Sequence, residues 1–203
     1  PEGMGKTFLL EKAKDAHLLK ETKSICITPD SDDYSDLTSL LSSMARNMSF
    51  GSDIQGKEIS KFARYYGSQL VQIESSYRTG NNLDDFNSRL ADTFVTGLED
   101  AIIHCGFDLS EIAPVLIIDD IDRLDDEVLE WLCVSLNKRI RESSLFKKCR
   151  FLFSAKILTE KIEQFFSRFG FDKTSEITLS PFTAEQCVQF AKFSGYEISN
   201  GED

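Results

Sequence analysis

Gly5-Lys6-Thr7 near the start of the chain and Asp119-Asp120 far along it are residue types that handle phosphate and its accompanying cation. Gly5-Lys6-Thr7 is the back half of the phosphate-binding loop G-x-x-x-x-G-K-[ST]. Pro1, Glu2, Gly3 and Met4 fill its four variable positions, so the leading glycine would fall just before residue 1. Backbone N–H groups of Glu2, Gly3, Met4, Gly5 and Phe8, at the start of a helix, would cradle the phosphates. Lys6 would reach the β- and γ-phosphates and Thr7 would ligate Mg²⁺. A helix that happens to begin with a glycine and a lysine would look the same, so the tripeptide alone is weak.

A second stretch strengthens it. In VLIIDDIDRL, Val115 to Leu124, four apolar residues run into acids. A buried strand of this kind delivers carboxylates to its C-terminal end, where ligands bind in α/β sheets. Asp119 would hold Mg²⁺, mostly through water, and Asp120 would orient or deprotonate an attacking water. A plain buried strand followed by a helix N-terminus accounts for Asp125, Asp126 and Glu127. It accounts less well for the adjacent pair Asp119-Asp120.

The elements that must position these residues alternate between strand and helix. Phe8 to Lys20 reads as a helix with Leu9, Leu10, Ala13 and His17 on one side, and Ser24 to Thr28 as a buried strand stopped by Pro29. Leu37 to Met48 is a candidate helix ended by the loop around FGSDIQG. Ile59, Phe62, Tyr66, Leu70, Ile73 and Tyr77 form one apolar stripe, and Phe86, Leu90, Phe94, Leu98 and Ile102 another. Pro114 to Asp119 reads as a central parallel strand. Glu127 to Arg141 follows as a helix with Leu129, Leu132, Cys133, Leu136 and Ile140 inward. Arg150 to Ser154 is the next strand, Thr159 to Phe169 a helix and Ile177 to Leu179 a short strand. Thr183 to Gln186 is a capping box opening a last helix. The expected fold is α/β, a parallel sheet between helices.

Composition limits the alternatives. The chain has 203 residues with 41% hydrophobic and 28% charged content, ordinary for one globular domain. No apolar run approaches the roughly 20 residues that cross a bilayer. A net charge of −11 argues against broad binding to a phosphate backbone, although Lys138, Arg139, Arg141, Lys147, Lys148 and Arg150 crowd together locally. A solvated helix end accounts for that crowding; a nucleic-acid site is the less favoured reading. The 5 cysteines are scattered and odd in number, which fits a reducing, cytoplasmic setting. His17 and His104, the only histidines, read as ordinary helix residues.

The order of motifs and elements resembles the ATPase core of the AAA+ and STAND branches of P-loop NTPases. DDIDR, Asp119 to Arg123, is similar to the DDLDR of KAP-type NTPases, and PEGMGKT to STAND and AAA+ loops. The resemblance implies a core over 1–180 with its first strand missing, a helical insertion at about 31–110, and the start of a helical lid at 181–203. It implies ATP and Mg²⁺ as cofactors and hydrolysis of ATP by in-line attack of water. Ser154 and Lys156 stand where such families sense the γ-phosphate, Asp122 where a second acid shares water activation, and Arg168 where an arginine finger reaches a neighbouring copy. Lys156 departs from the arginine frequent in STAND proteins, and Arg168 also suits a plain surface arginine at a helix end. The resemblance further implies a nucleotide-driven switch or oligomerisation domain that exchanges ATP for ADP, in signalling or antiphage defence, forming homo-oligomers. A DNA-associated loader and a nucleotide-binding scaffold without turnover are the alternatives.

Overall fold

VLII offers solvent no polar side chain, so the strand it forms has to be covered on both faces. In the computed structural model that strand is β3, Ala113–Ile118, and it is buried from Pro114 onward. The structure describes residues 5–34, 36–54, 69, 83–170, 183, 185, 186 and 189. The stripe from Ile59 to Tyr77 and the strand expected at Ile177 to Leu179 lie outside these residues, as do Pro1 to Met4.

On one side β3 pairs in parallel with β1, Ser24–Ile27, and on the other with β4, Arg150–Phe153. A further strand, β2, Met48–Phe50, pairs antiparallel with β1, and the sheet order is β2-β1-β3-β4. The sheet is therefore mixed, mostly parallel, which corrects the all-parallel expectation. The helix expected to run to Met48 stops at Arg46 (α2, Leu37–Arg46). Three residues are too few to display an alternating pattern, so β2 leaves no periodicity in the sequence. Its register is fixed by backbone: Gly51 N–H donates to Ser24 O at 2.9 Å and Asp53 N–H to Thr22 O at 3.1 Å.

Successive residues of a strand face opposite sides of the sheet. Leu116 and Ile118 join Ile25 and Ile27 in the larger core, while Val115 and Ile117 join Cys26 in a smaller one. The smaller core is covered by α1, Lys6–Lys20, through Leu10 and Leu18. Leu9, expected on the same side of this helix as Leu10 and His17, is 46% exposed; His17 is buried, its Nε2 3.1 Å from Ala113 O. The larger core receives α3, Leu83–His104, whose Phe86, Leu90, Phe94, Leu98 and Ile102 are all buried as the stripe predicts.

The helix expected at Glu127 to Arg141 is a continuous helical run in three parts. Asp126–Trp131 (α4) and Asn137–Glu142 (α5) flank a π-helical turn, Leu132–Leu136. Leu129, Leu132, Cys133, Leu136 and Ile140 face inward as expected. Helix α6, Glu160–Phe169, is capped by Thr159 and ends at Gly170, φ 105°. Its Phe165 and Phe169 meet Phe153 of β4 edge-on, at ring-centroid distances of 5.4 Å each. The capping box forms as read: Gln186 N–H donates to Thr183 Oγ1 and Thr183 N–H to Gln186 Oε1.

Cys26, Cys105, Cys133 and Cys149 are free thiols, and burial pushes Cys26 and Cys133 up to about 11. Among the described residues no helix is long and apolar enough to cross a membrane.

Candidate functional site

Parallel pairing of β3 with β4, Ile118 opposite Phe153, puts the next residue of each strand side by side. Those residues are Asp119 and Ser154. The pairing continues past the strand ends, with Ser154 N–H donating to Ile118 O at 3.0 Å and Ile121 N–H to Ser154 O at 2.8 Å. Ser154 Oγ–H donates to Asp119 Oδ1.

Helix α1 brings the third component. Gly5 precedes it in the left-handed region, φ 75°, ψ 14°, a conformation glycine adopts without a Cβ penalty. Thr7, in the first turn, donates from Oγ1 to Asp119 Oδ2 at 2.5 Å across 112 residues of sequence. Both oxygens of Asp119 are thus engaged, one by Ser154 and one by Thr7. Lys6, beside Thr7, is half-buried. First-turn N–H groups of a helix lack intrahelical acceptors and favour an anion. Phe8 is 40% exposed, with Lys12 Nζ 5.4 Å above its ring. Glu2, Gly3 and Met4 lie outside the described residues.

The second acid is held differently. Asp120 takes φ 47°, ψ 52°, the only positive φ outside glycine among the described residues. Its N–H donates to Ser154 Oγ at 2.9 Å. Its carboxylate pairs with Lys156 Nζ at 3.2 Å, and Lys156 N–H donates to Asp122 Oδ1 at 2.8 Å. Lys156 is therefore held at its ammonium by Asp120 and at its backbone N–H by Asp122.

Six of the candidates, Thr7, Asp119, Asp120, Asp122, Ser154 and Lys156, are linked by these direct contacts. Arg168 is not in that network. Both its terminal nitrogens fork onto Glu130, Nη2 at 2.7 Å from Oε1, and the guanidinium holds the Glu130 carboxyl below its usual range. A finger role toward another molecule would require Arg168 to leave that partner. The basic crowd is partly absorbed as well: Arg139 pairs with Asp92 at 2.8 Å and Lys148 donates to Ser110 O at 2.7 Å.

One contributor escaped the sequence reading. Tyr34 is 4% exposed, and its hydroxyl donates to Asp119 O at 2.8 Å. Burial, reinforced by the charges of Asp119 and Asp120, pushes its phenol up, so it remains a donor. The signal was an aromatic residue inside the acid-rich stretch DSDDYSD, where solvated loop residues are expected.

The donor set suits Mg²⁺. That ion keeps several waters and takes one or two protein oxygens alongside phosphate. Thr7 Oγ1 and Asp119 supply two oxygens at one point. No group of three or more His, Cys, Asp or Glu side chains able to hold a metal occurs among the described residues. Compared with family models, with curated proteins and with solved structures, the chain matches none.

Proposed function

We propose that the chain is a Mg²⁺-dependent ATP-binding and ATP-hydrolysing module of the AAA+/STAND kind. It would serve as a nucleotide-driven switch or oligomerisation domain in a cytoplasmic protein. The observation that carries this reading is the contact between Thr7 and Asp119. Two motifs recognised independently, 112 residues apart, meet at the one place where a phosphate-bound cation would need both.

In this reading the left-handed Gly5 lets the backbone turn toward the phosphates and hand over to α1. Lys6 lies against the β- and γ-phosphate oxygens and neutralises them. Thr7 and Asp119 would hold Mg²⁺, which when bound would offset charge on the phosphate oxygens. Asp120 orients the attacking water and accepts its proton as the water oxygen bonds to the γ-phosphorus and the bridging P–O bond breaks. Lys156 has to exchange the Asp120 carboxylate for the γ-phosphate first. Homo-oligomers, with ATP and ADP favouring different assemblies, are what the resemblance implies.

The Lys156–Asp120 pair also favours a second reading, a module that binds nucleotide without turnover, since it neutralises the carboxylate needed by water. One experiment separates the readings. The full-length protein is titrated with a fluorescent ATP analogue in Mg²⁺, as wild type and Lys6→Ala, and phosphate release is followed in parallel. Saturable binding weakened tenfold or more by Lys6→Ala, about 1.4 kcal/mol, is the expected result. Equal binding by both proteins sinks the nucleotide site; binding without phosphate release leaves the scaffold.

A further inference from the structure

The peptide group joining Asp119 to Asp120 is held on both of its polar atoms. Its C=O accepts from the Tyr34 hydroxyl at 2.8 Å, and its N–H donates to Ser154 Oγ at 2.9 Å. The two partners come from different places, Tyr34 from the segment after β1 and Ser154 from the tip of β4. A peptide group is planar, so gripping both ends fixes its plane. That plane sets ψ of Asp119 and φ of Asp120 together. Asp120 meanwhile stays in the left-handed region, which is unfavourable for a non-glycine residue.

Tyr34 is itself anchored. It closes a short 3₁₀ turn, Ser31–Asp33, capped by Asp30, whose side chain accepts from Asp32 N–H at 3.1 Å. Asp30 N–H in turn donates to Ser43 Oγ of α2 at 2.8 Å. The grip on the peptide is thus continuous with α2, whose Ser43 is fully buried.

We propose that Tyr34 is a positioning residue: with Ser154 it clamps the Asp119–Asp120 peptide and so aims both carboxylates of the site. The assignment rests on the ATP-hydrolysing reading of the site. If the plane rotated, Asp120 would leave the left-handed region, and its carboxylate would swing away from Lys156 and from any water beside it. The Asp119 carboxylate, tied by Thr7 and the Ser154 side chain, would be pulled off both. Binding of ATP depends mainly on Lys6 and the first-turn N–H groups of α1, to which neither Tyr34 nor Ser154 is hydrogen-bonded. Removing the Tyr34 hydroxyl should therefore slow turnover more than it weakens binding.

The test is Tyr34→Phe, which deletes one oxygen, in the full-length protein. Two readouts are taken. Exchange of the Asp120 amide, followed by NMR, should accelerate at least tenfold, while amides of β3 such as Leu116 change less than twofold. The kcat for MgATP should fall at least tenfold with KM within threefold of wild type. Ser154→Ala should loosen the same amide, and the double variant should lose less than twofold further, because one open jaw already frees the peptide. A uniform change across β3, or an unchanged Asp120 amide, makes Tyr34 only a satisfied core tyrosine and overturns the clamp. An unchanged kcat beside a loosened amide overturns its role in aiming the carboxylates. Absence of turnover in the wild type overturns the hydrolytic reading, and the exchange result then decides the clamp alone.

Discussion

At the scale of single residues, Asp120 combines two demands that a different side chain would separate. Its backbone sits at φ 47°, and its carboxylate meets Lys156. Asparagine tolerates the left-handed region and keeps the shape. Asp120→Asn should therefore stay within about 1 kcal/mol of wild type in urea denaturation, while phosphate release falls about 100-fold or more through loss of the proton acceptor. Asp120→Val should instead cost about 1–3 kcal/mol, since a β-branched residue is strained there. If both variants lose stability alike, the backbone at 120 is not the constraint. Residue types and spacing make Thr7, Asp119 and Asp120 legible, because their chemistry is tied to short patterns. Tyr34 is not legible, because its role depends on a fold-level meeting with Asp119 that no local pattern encodes. Nor can the sequence reveal that Lys156 is shared between Asp120 and Asp122.

At the scale of elements, the long helical stripe translates directly into a buried face. Phe86, Leu90, Phe94, Leu98 and Ile102 keep helical spacing along α3, and every one of them is buried. Short elements behave otherwise. Strand β2 has three residues, and the turn at Gly51 places it. A Cβ on Gly51 would lie 2.3 Å from Thr22 O and 2.6 Å from Glu21 O, both backbone atoms that cannot swing aside. Gly51→Ala should accordingly cost about 1–3 kcal/mol by urea denaturation, with β2 amides exchanging faster than those of β3. Unchanged exchange in β2 would mean that the edge strand is held by something other than this close approach. The π-helical turn Leu132–Leu136 is equally invisible in the sequence, since one widened turn leaves the inward stripe of the run nearly unaltered.

At the scale of the whole molecule, the faces of the sheet decide what can join it. Helices α3 to α5 lie on the larger-core side, on the connections that carry the chain from β1 to β3 to β4, and α1 lies on the other side. Parallel crossovers are right-handed in about 98% of cases. The parallel steps from β1 to β3 and from β3 to β4 accordingly carry their helices on one and the same face. The mostly parallel sheet and its helical cover are legible from alternation alone; the antiparallel edge is not. The bond between Thr7 and Asp119 has a consequence in time as well as in space. Closing 112 residues costs chain entropy before any contact returns it, so this junction should assemble after the local helices and after the β3–β4 pairing. Thr7→Val should then raise the unfolding rate about fivefold, for a loss of about 1 kcal/mol, and leave the refolding rate within twofold. A slowed refolding rate would instead put the junction in the folding nucleus. A junction that closes late opens early, so a ligand bridging Thr7 and Asp119 would act as a latch on the lifetime of the native state.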